Sequence, residues 1–281
     1  MHAGRMEANV SVKVMSFNIA HGLGMDGIVD LEKTASVIED SCAHVIGLQE
    51  VDRFFSDRSS FMDQVDWLSE RLGMHAAFGA NLDIEPAIAD QPRRQYGNAI
   101  LSKYPIKYSE NHSLTPVKSD FGTNEQRGIL EAVVEVKGKH IHVFNTHLAL
   151  KEEELKVNIG ELLNISGKRH LPRIVLGDFN APPQHPHIQK LNGHYSDAFL
   201  KMKRGDAYTY PAPYKNVETG EIFNPATRID YIFSCSQLEV IQSAIMHTDV
   251  SDHLPIVADF LLVPAKVGTK QPAKLAPQKI W

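Results

Sequence analysis

Cysteine is scarce in this chain: only Cys42 and Cys235 occur among 281 residues. That excludes a scaffold held together by disulfides, which a chain of this length does not need in order to close a core. Each cysteine adjoins an apolar stretch, so both are expected as buried free thiols in a reducing compartment, with a bond between them left open. No hydrophobic run approaches the roughly 20 residues of a membrane helix. The opening Met1-His2-Ala3-Gly4-Arg5-Met6-Glu7 lacks an apolar signal core. The expectation is therefore no transmembrane segment and a cytoplasmic location. An excess of positive charge is also missing. The formal net charge is −5, and no long basic stripe with interleaved aromatics runs along the chain, which argues against a protein that depends on broad attraction to polyanions. A local basic cleft stays open.

What is present describes an ordinary globular chain, 43% hydrophobic and 22% charged, with no internal repeat and no break in composition. One domain over residues 12–263 is expected, preceded by an N-terminal extension (1–11). It is followed by a flexible basic tail (264–281) that carries Lys266, Lys270, Lys274 and Lys279 and no acid. Strands are predicted over 12–18, 45–49, 98–102, 129–136, 141–146, 174–176, 229–233 and 256–262. Apolar groups at helical spacing predict helices over 31–43, 63–72 and 152–165. Asp30 is the expected N-cap of the first, and Gly73 closes the second. Lys137-Gly138-Lys139-His140 joins two strands as a hairpin.

The strands share one habit. They end in Asn18, in Glu50, in His147, in Asp178 with Asn180, at Asp230, and in Asp252 with His253. Singly, each end is where a strand meets water. Together, if the strands form two packed sheets, these groups converge at one edge. There, oxygen and imidazole donors suit a hard cation and a phosphate. A divalent cation would supply the phosphate neutralisation that the acidic net charge does not.

At this point the motifs resemble a known family. Phe17-Asn18, Leu48-Gln49-Glu50-Val51-Asp52, Tyr96-Gly97-Asn98, Asn145-Thr146-His147-Leu148, Gly177-Asp178-Phe179-Asn180, Arg228-Ile229-Asp230-Tyr231 and Ser251-Asp252-His253 are similar, in order, to those of the endonuclease/exonuclease/phosphatase superfamily. The resemblance implies an α+β fold, a four-layer α/β/β/α sandwich of two mixed β-sheets with outer helices. It also implies a Mg2+-dependent phosphoesterase in which Mn2+ can substitute. His147 matches the deoxyribonuclease, deadenylase and sphingomyelinase branches better than the abasic-site endonucleases, which carry a tyrosine in that region.

Roles follow residue by residue. Glu50 is a good magnesium ligand at a strand exit, Asp252 adds a second carboxylate, and Asn18 binds the ion or orients Glu50. Asp178 and Asn180 alternate to one face. The resemblance makes Asp178 the group that positions or deprotonates water, and Asn180 a donor to phosphate. An Asx-turn is the plain alternative. Asp230 would fix the tautomer of His253 and favour its protonated ring, and whether Asp178 or His253 is the base stays open. His147 would donate to an oxygen as charge develops. Arg127 is a phosphate clamp or a rim salt bridge, and Asn98 a phosphate-side group or a turn-holder. Two segments, 79–95 and 205–227, read as substrate-choosing loops. The leading expectation is hydrolysis of a phosphodiester or phosphomonoester by in-line attack of water, on a small phosphorylated molecule, sugar- or lipid-linked, or a nucleotide. The alternatives are a nuclease on DNA or RNA and a non-catalytic binding module of the same fold.

Overall fold

The structure is a computed structural model, and it describes residues 10–86, 88–118, 124–204, 207–215 and 219–263. Strand β1 (Ser11–Asn18) leads to helix α1 (Leu31–Ser41), then β2 (Val45–Arg53), α2 (Gln64–Leu72), β3 (His75–Ile84), β4 (Arg94–Ser102), β5 (Ile106–Ser113), β6 (Gly128–Val136) and β7 (Lys139–His147). Next come α3 (Glu152–Gly167), β8 (Arg173–Asp178), α4 (Pro186–Asn192), the short β9 (Ser196–Asp197) and α5 (Ala198–Lys201). A small pair, β10 (Tyr214–Lys215) and β11 (Ile222–Phe223), precedes β12 (Asp230–Ser234), β13 (Leu238–Ile245) and β14 (Ile256–Leu262).

Two six-stranded sheets result, ordered β13-β14-β1-β2-β4-β3 and β5-β6-β7-β8-β12-β9. Each is mixed. Its central pair, β1 with β2 or β7 with β8, is parallel and its other pairs are antiparallel. Period-two alternation decides what each face buries. Val12 and Val14 of β1 meet Ile174 and Leu176 of β8 and Val143 of β7 in a core between the sheets. The alternate residues Met15 and Phe17 pack on Leu31, Ala35 and Ile38 of α1 and Leu68 of α2. Phe144, Val175 and Phe233 pack on Leu155, Ile159 and Leu162 of α3. The layers are thus α/β/β/α. Each aliphatic side chain buried this fully contributes about 1.5–3 kcal/mol. At Gly47 the sheets come so close that a Cβ would lie 2.1 Å from Leu176 Cδ1.

The caps follow local chemistry. Asp30 accepts from the backbone N–H groups of Glu32 and Lys33, and Gly73 ends α2 in the left-handed region. Lys137 and Gly138 both have positive φ, at 49° and 80°, the signature of a two-residue hairpin turn. Several expectations need correction. Cys235 is buried, but Cys42 is exposed, and both are free. Cys42 caps α1 in the left-handed conformation (φ 53°), which ends the helix at Ser41, two residues before the expected end, and leaves the thiol exposed. Strand β2 does not stop before Glu50 but runs on to Arg53 through a bulge. Strand β1 begins at Ser11, inside the expected extension. Segment 79–95 is loop only in its middle: residues 79–84 are the end of β3 and 94–95 the start of β4, with Arg93 bound to Asp83 and Glu85. Most of residues 1–11 and all of 264–281 lie outside the described residues. Among the described residues no helix is long and apolar enough to cross a membrane.

Candidate active site

The stripe of residues that forms the inter-sheet core turns polar at one end. On β1, Val12 and Val14 give way to Ser16 and Asn18; on β7, Ile141 and Val143 give way to Asn145 and His147; on β8, Ile174 and Leu176 give way to Asp178. The inward residues of β7 are Ile141, Val143, Asn145 and His147, while Phe144 faces the α3 layer. Just below the polar mouth, the Asn145 amide donates to the carbonyls of Leu48 and Ala99, both at 2.8 Å, and its Oδ1 accepts from Gln49 Nε2 at 2.6 Å. A side chain of one sheet thereby satisfies backbone and side chain of the other, which fixes how the two halves of the mouth face each other.

Asp178 lies at the centre. Strand pairing sets His147 and Asp230 directly beside it on β7 and β12. Its Oδ1 accepts from the Asn180 backbone N–H at 2.9 Å, and its Oδ2 accepts from Asn18 Nδ2 at 3.2 Å. Nε2 of His147 and Nε2 of His253 stand 3.4 and 3.7 Å from the same Oδ2. Asn18 also donates to Glu50 Oε1 at 2.9 Å, while its own Oδ1 accepts from the Ala20 N–H. The amide thus joins carboxylates contributed by the two sheets. Glu50 has φ 58° within the β2 bulge, which breaks the strand's alternation at that residue. His253 Nδ1 lies 3.0 Å from Asp230 Oδ2. The Ser251 hydroxyl donates to the Asn18 carbonyl and to Asp252 Oδ1, which ties the 251–253 segment to the end of β1.

Electrostatics divide the two histidines. Burial, with Arg127 and His253 nearby, holds His147 well below the ordinary histidine value, so it is neutral at neutral pH. Burial alone would lower His253 too, but the Asp230 and Asp178 carboxylates outweigh it and push the ring up to about 10. Burial and the neighbouring Asp230 raise Asp178 to about 7, against the pull of His253. The Tyr210 phenol, raised by burial, also senses Asp252, Asp178 and Glu50, which sets Asp252 on the same side as the other acids. Ligand atoms of Asp178, Asp230 and His253 lie within 4.8 Å of one another, a group able to hold a metal ion.

The remaining expected residues take quieter places. Arg127 is buried and paired with Glu125. Asn98 donates to the Gly128 carbonyl at 3.2 Å, which links β4 to the start of β6. Asn180 has φ 50°, so the alternation with Asp178 stops at the strand end. An Asx-turn takes over, and its Nδ2 donates to the Leu148 carbonyl. In segment 205–227, Tyr214 and Phe223 stack on each other with ring centroids 4.5 Å apart, whereas the Tyr210 ring lies 4.8 Å from that of His253. Two residues escaped the sequence reading: Tyr210 as a neighbour of His253, and His21, whose lowered pKa reflects burial and Arg58 and whose ring also senses Glu50 and Asp252. His21 has φ 48°; no local pattern announces a left-handed histidine.

The sequence model of the Endonuclease/Exonuclease/phosphatase family matches residues 15–253, a span that includes every residue of this mouth. The chain belongs to the endonuclease/exonuclease/phosphatase family. Members of this family are hydrolases of phosphoesters. The chain is similar to the protein YbhP of Escherichia coli K12, 26% identical over 90% of this chain and 97% of that protein. A family structure from Beutenbergia cavernae superposes with TM-score 0.74 at 24% identity, over 92% of this chain and 73% of that one. A mannosyl-6-phosphatase of Bacteroides thetaiotaomicron superposes with TM-score 0.65 at 18% identity, over 89% of this chain and 99% of that one.

Proposed function

We propose that this protein is a divalent-metal-dependent phosphoesterase that hydrolyses a small phosphorylated molecule by direct attack of water. The observation that carries the proposal is the convergence on Asp178 of Asn18, His147 and His253, with Glu50 held by the same Asn18 amide. The donor set fits a hard cation. Glu50 has one oxygen engaged by Asn18 and one without a hydrogen-bond partner among the described residues, and Asp252 stands at the same mouth. Buried Asp230 Oδ1 is also without a partner. Glu50 and Asp252 would hold Mg2+ or Mn2+, with Asn18 orienting Glu50. When bound, the ion supplies charge neutralisation at the phosphate and the leaving oxygen.

The chain's own groups then divide the work. Asp178, aimed by the Asn180 N–H, orients the water and takes its proton. His253 is held as a cation by Asp230 and braces a phosphate oxygen. His147 is neutral and donates a hydrogen bond from its ring to another oxygen as charge builds. Arg127 reinforces this side electrostatically from behind Glu125. The mannosyl-6-phosphatase among the structural neighbours and the acidic net charge favour a small substrate over a duplex. The test is turnover of bis(4-nitrophenyl) phosphate and 4-nitrophenyl phosphate with Mg2+ or Mn2+. Asp178→Asn and His253→Ala are each expected to lower kcat about 10²–10⁴-fold. Near wild-type turnover in both variants overturns the assignment.

A further inference from the structure

Beyond Glu50, β2 runs into a strained apolar surface. Phe54 follows the strand, four residues after Glu50, a reach of about 13 Å along an extended chain. With Phe61, Pro86, Ile88, Pro92 and Arg94 it lines a pocket of about 420 Å³, within the size range of small-molecule sites. Phe54 and Phe61 both have φ 52°, a backbone state that bulky residues avoid and that tends to persist where function needs it. The loop is held in this shape by the Phe54 N–H donating to the Met62 carbonyl and by Arg53 gripping Asp63. The result is apolar surface left in water: Ile88 is 69% exposed and Phe61 52%.

The charges around the pocket are unequal. Arg53, Arg58 and Arg93 are each paired with carboxylates, namely Asp63, Asp52, and Asp83 with Glu85. Arg94 is not: it donates from Nε to the Phe55 carbonyl at 2.6 Å and has no carboxylate partner among the described residues. Between it and the acid-lined mouth stand Phe55, Arg58 and Tyr96, with the Arg58 guanidinium 4.7 Å from the Phe55 ring centroid and 5.3 Å from that of Tyr96. Tyr96 in turn senses the Glu50 carboxylate. A cation without a partner, an apolar pocket and the candidate active site therefore follow one another along β2 and β4.

The geometry points to an amphiphilic phosphoester as the substrate: its phosphate lies at the Asp178 mouth, its acyl or aryl group fills the Phe54–Phe61–Ile88 pocket, and Arg94, in the lining of that pocket, faces an anionic or polar oxygen of the same molecule. This deepens the proposed phosphoesterase reading and rests on it. A single amphiphile is favoured over an anionic bilayer because the pocket, at about 420 Å³, has the size of a site for one small molecule, and the net charge of −5 does not draw the chain to an anionic surface.

The experiment has a kinetic arm and a binding arm, both on the full chain. In the first, alkyl 4-nitrophenyl phosphodiesters from methyl to octyl are compared below their aggregation limits, with Mg2+ or Mn2+ present. KM is expected to fall at least tenfold across the series. Phe61→Asn suits the left-handed backbone and so preserves the fold. It and Ile88→Ser are each expected to flatten the series while kcat on the methyl ester stays unchanged. In the second, calorimetry measures octyl phosphate against inorganic phosphate without metal. The wild type is expected to prefer octyl phosphate about tenfold, with the preference lost in Phe61→Asn and the affinity lowered in Arg94→Gln. A flat chain-length series with normal turnover of the methyl ester overturns the pocket assignment and leaves phosphoester hydrolysis standing. No turnover of any ester, with the octyl preference intact, overturns the catalytic reading and keeps the pocket. Binding to phosphatidylglycerol vesicles without binding to monomeric octyl phosphate overturns the single-amphiphile assignment in favour of a membrane surface.

Discussion

Asp178 is in tension with its own fold. It is buried, it faces Asp230, and its pKa rises to about 7. A carboxyl whose pKa is higher folded than unfolded stabilises the folded state at low pH, and that contribution is lost as pH rises from the unfolded value through the folded one. Metal-free protein should therefore lose stability between about pH 4 and 7 from this group. Asp178→Asn, which removes the ionisation, should be about 1–2 kcal/mol more stable than wild type at pH 8 in chelator, measured by urea unfolding, even as its turnover is expected to fall. An equal or lower midpoint would show that Asp178 is not strained. His253 gives the opposite limb. Its pKa is raised to about 10, so the cationic ring persists through neutral pH and activity on its account falls only in strong alkali. Asp230→Asn removes the main raising influence. The alkaline limb of kcat/KM should then move to lower pH, with the rate at pH 8 down roughly 10²-fold. An unmoved limb would exclude His253 as the titrating group.

At the scale of strands and helices, the polar mouth exists because two sheets approach closely enough for one Asn to bridge them. Gly47 permits that approach, since its Cβ would meet Leu176 Cδ1 at 2.1 Å and Asn145 at 3.0 Å. Gly47→Ala should cost about 1–3 kcal/mol by overpacking and should lower kcat as well, because Asn145 shifts with it; a thermal melt and one assay check both. The same contrast explains what the sequence revealed. Central strands such as β1, β7, β8 and β12 are buried on both faces and read as apolar runs, and their polar ends stood out against them. In the two large sheets the strands that left no legible trace are β3, β5, β9 and β13, all at sheet edges, and the short β10–β11 pair outside them left none either. β5 is Ile-Lys-Tyr-Ser-Glu-Asn-His-Ser, with no fully buried position, because an edge strand has one wet flank and often one wet face. Glu50 was legible as a ligand type but not as a bulge. A bulge is a register event between two strands, and nothing within 45–53 alone encodes it. Asn180 shows the reverse case: the Asx-turn that competed with alternation prevailed because the strand ends at Asp178.

For the whole molecule, the distribution of charge carries the last consequence. The chain bears a net charge of −5, and one mouth between the sheets collects Glu50, Asp178, Asp230 and Asp252, with His253 as the cation beside Asp178 and Asp230. Closing the sandwich brings these acids together from both sheets, so the closed fold includes like-charge repulsion that the unfolded chain lacks. A divalent cation at Glu50 and Asp252 would relieve it and, by binding only the folded chain, add stability of about 2.7 kcal/mol at a concentration a hundredfold above its dissociation constant. In a domain of this size that corresponds to a rise in Tm of roughly 5–10 °C. Mg2+ or Mn2+ should produce this rise, and Ca2+, which prefers more ligands at longer distances, a smaller one. Glu50→Gln should start from a higher Tm in chelator, because one repelling charge is gone, and should gain little from metal. If the variant gained as much as wild type, the cation would be held elsewhere. The sheets' shared mouth would then be an acid cluster without its ion, and Asp178 would have to orient water unaided.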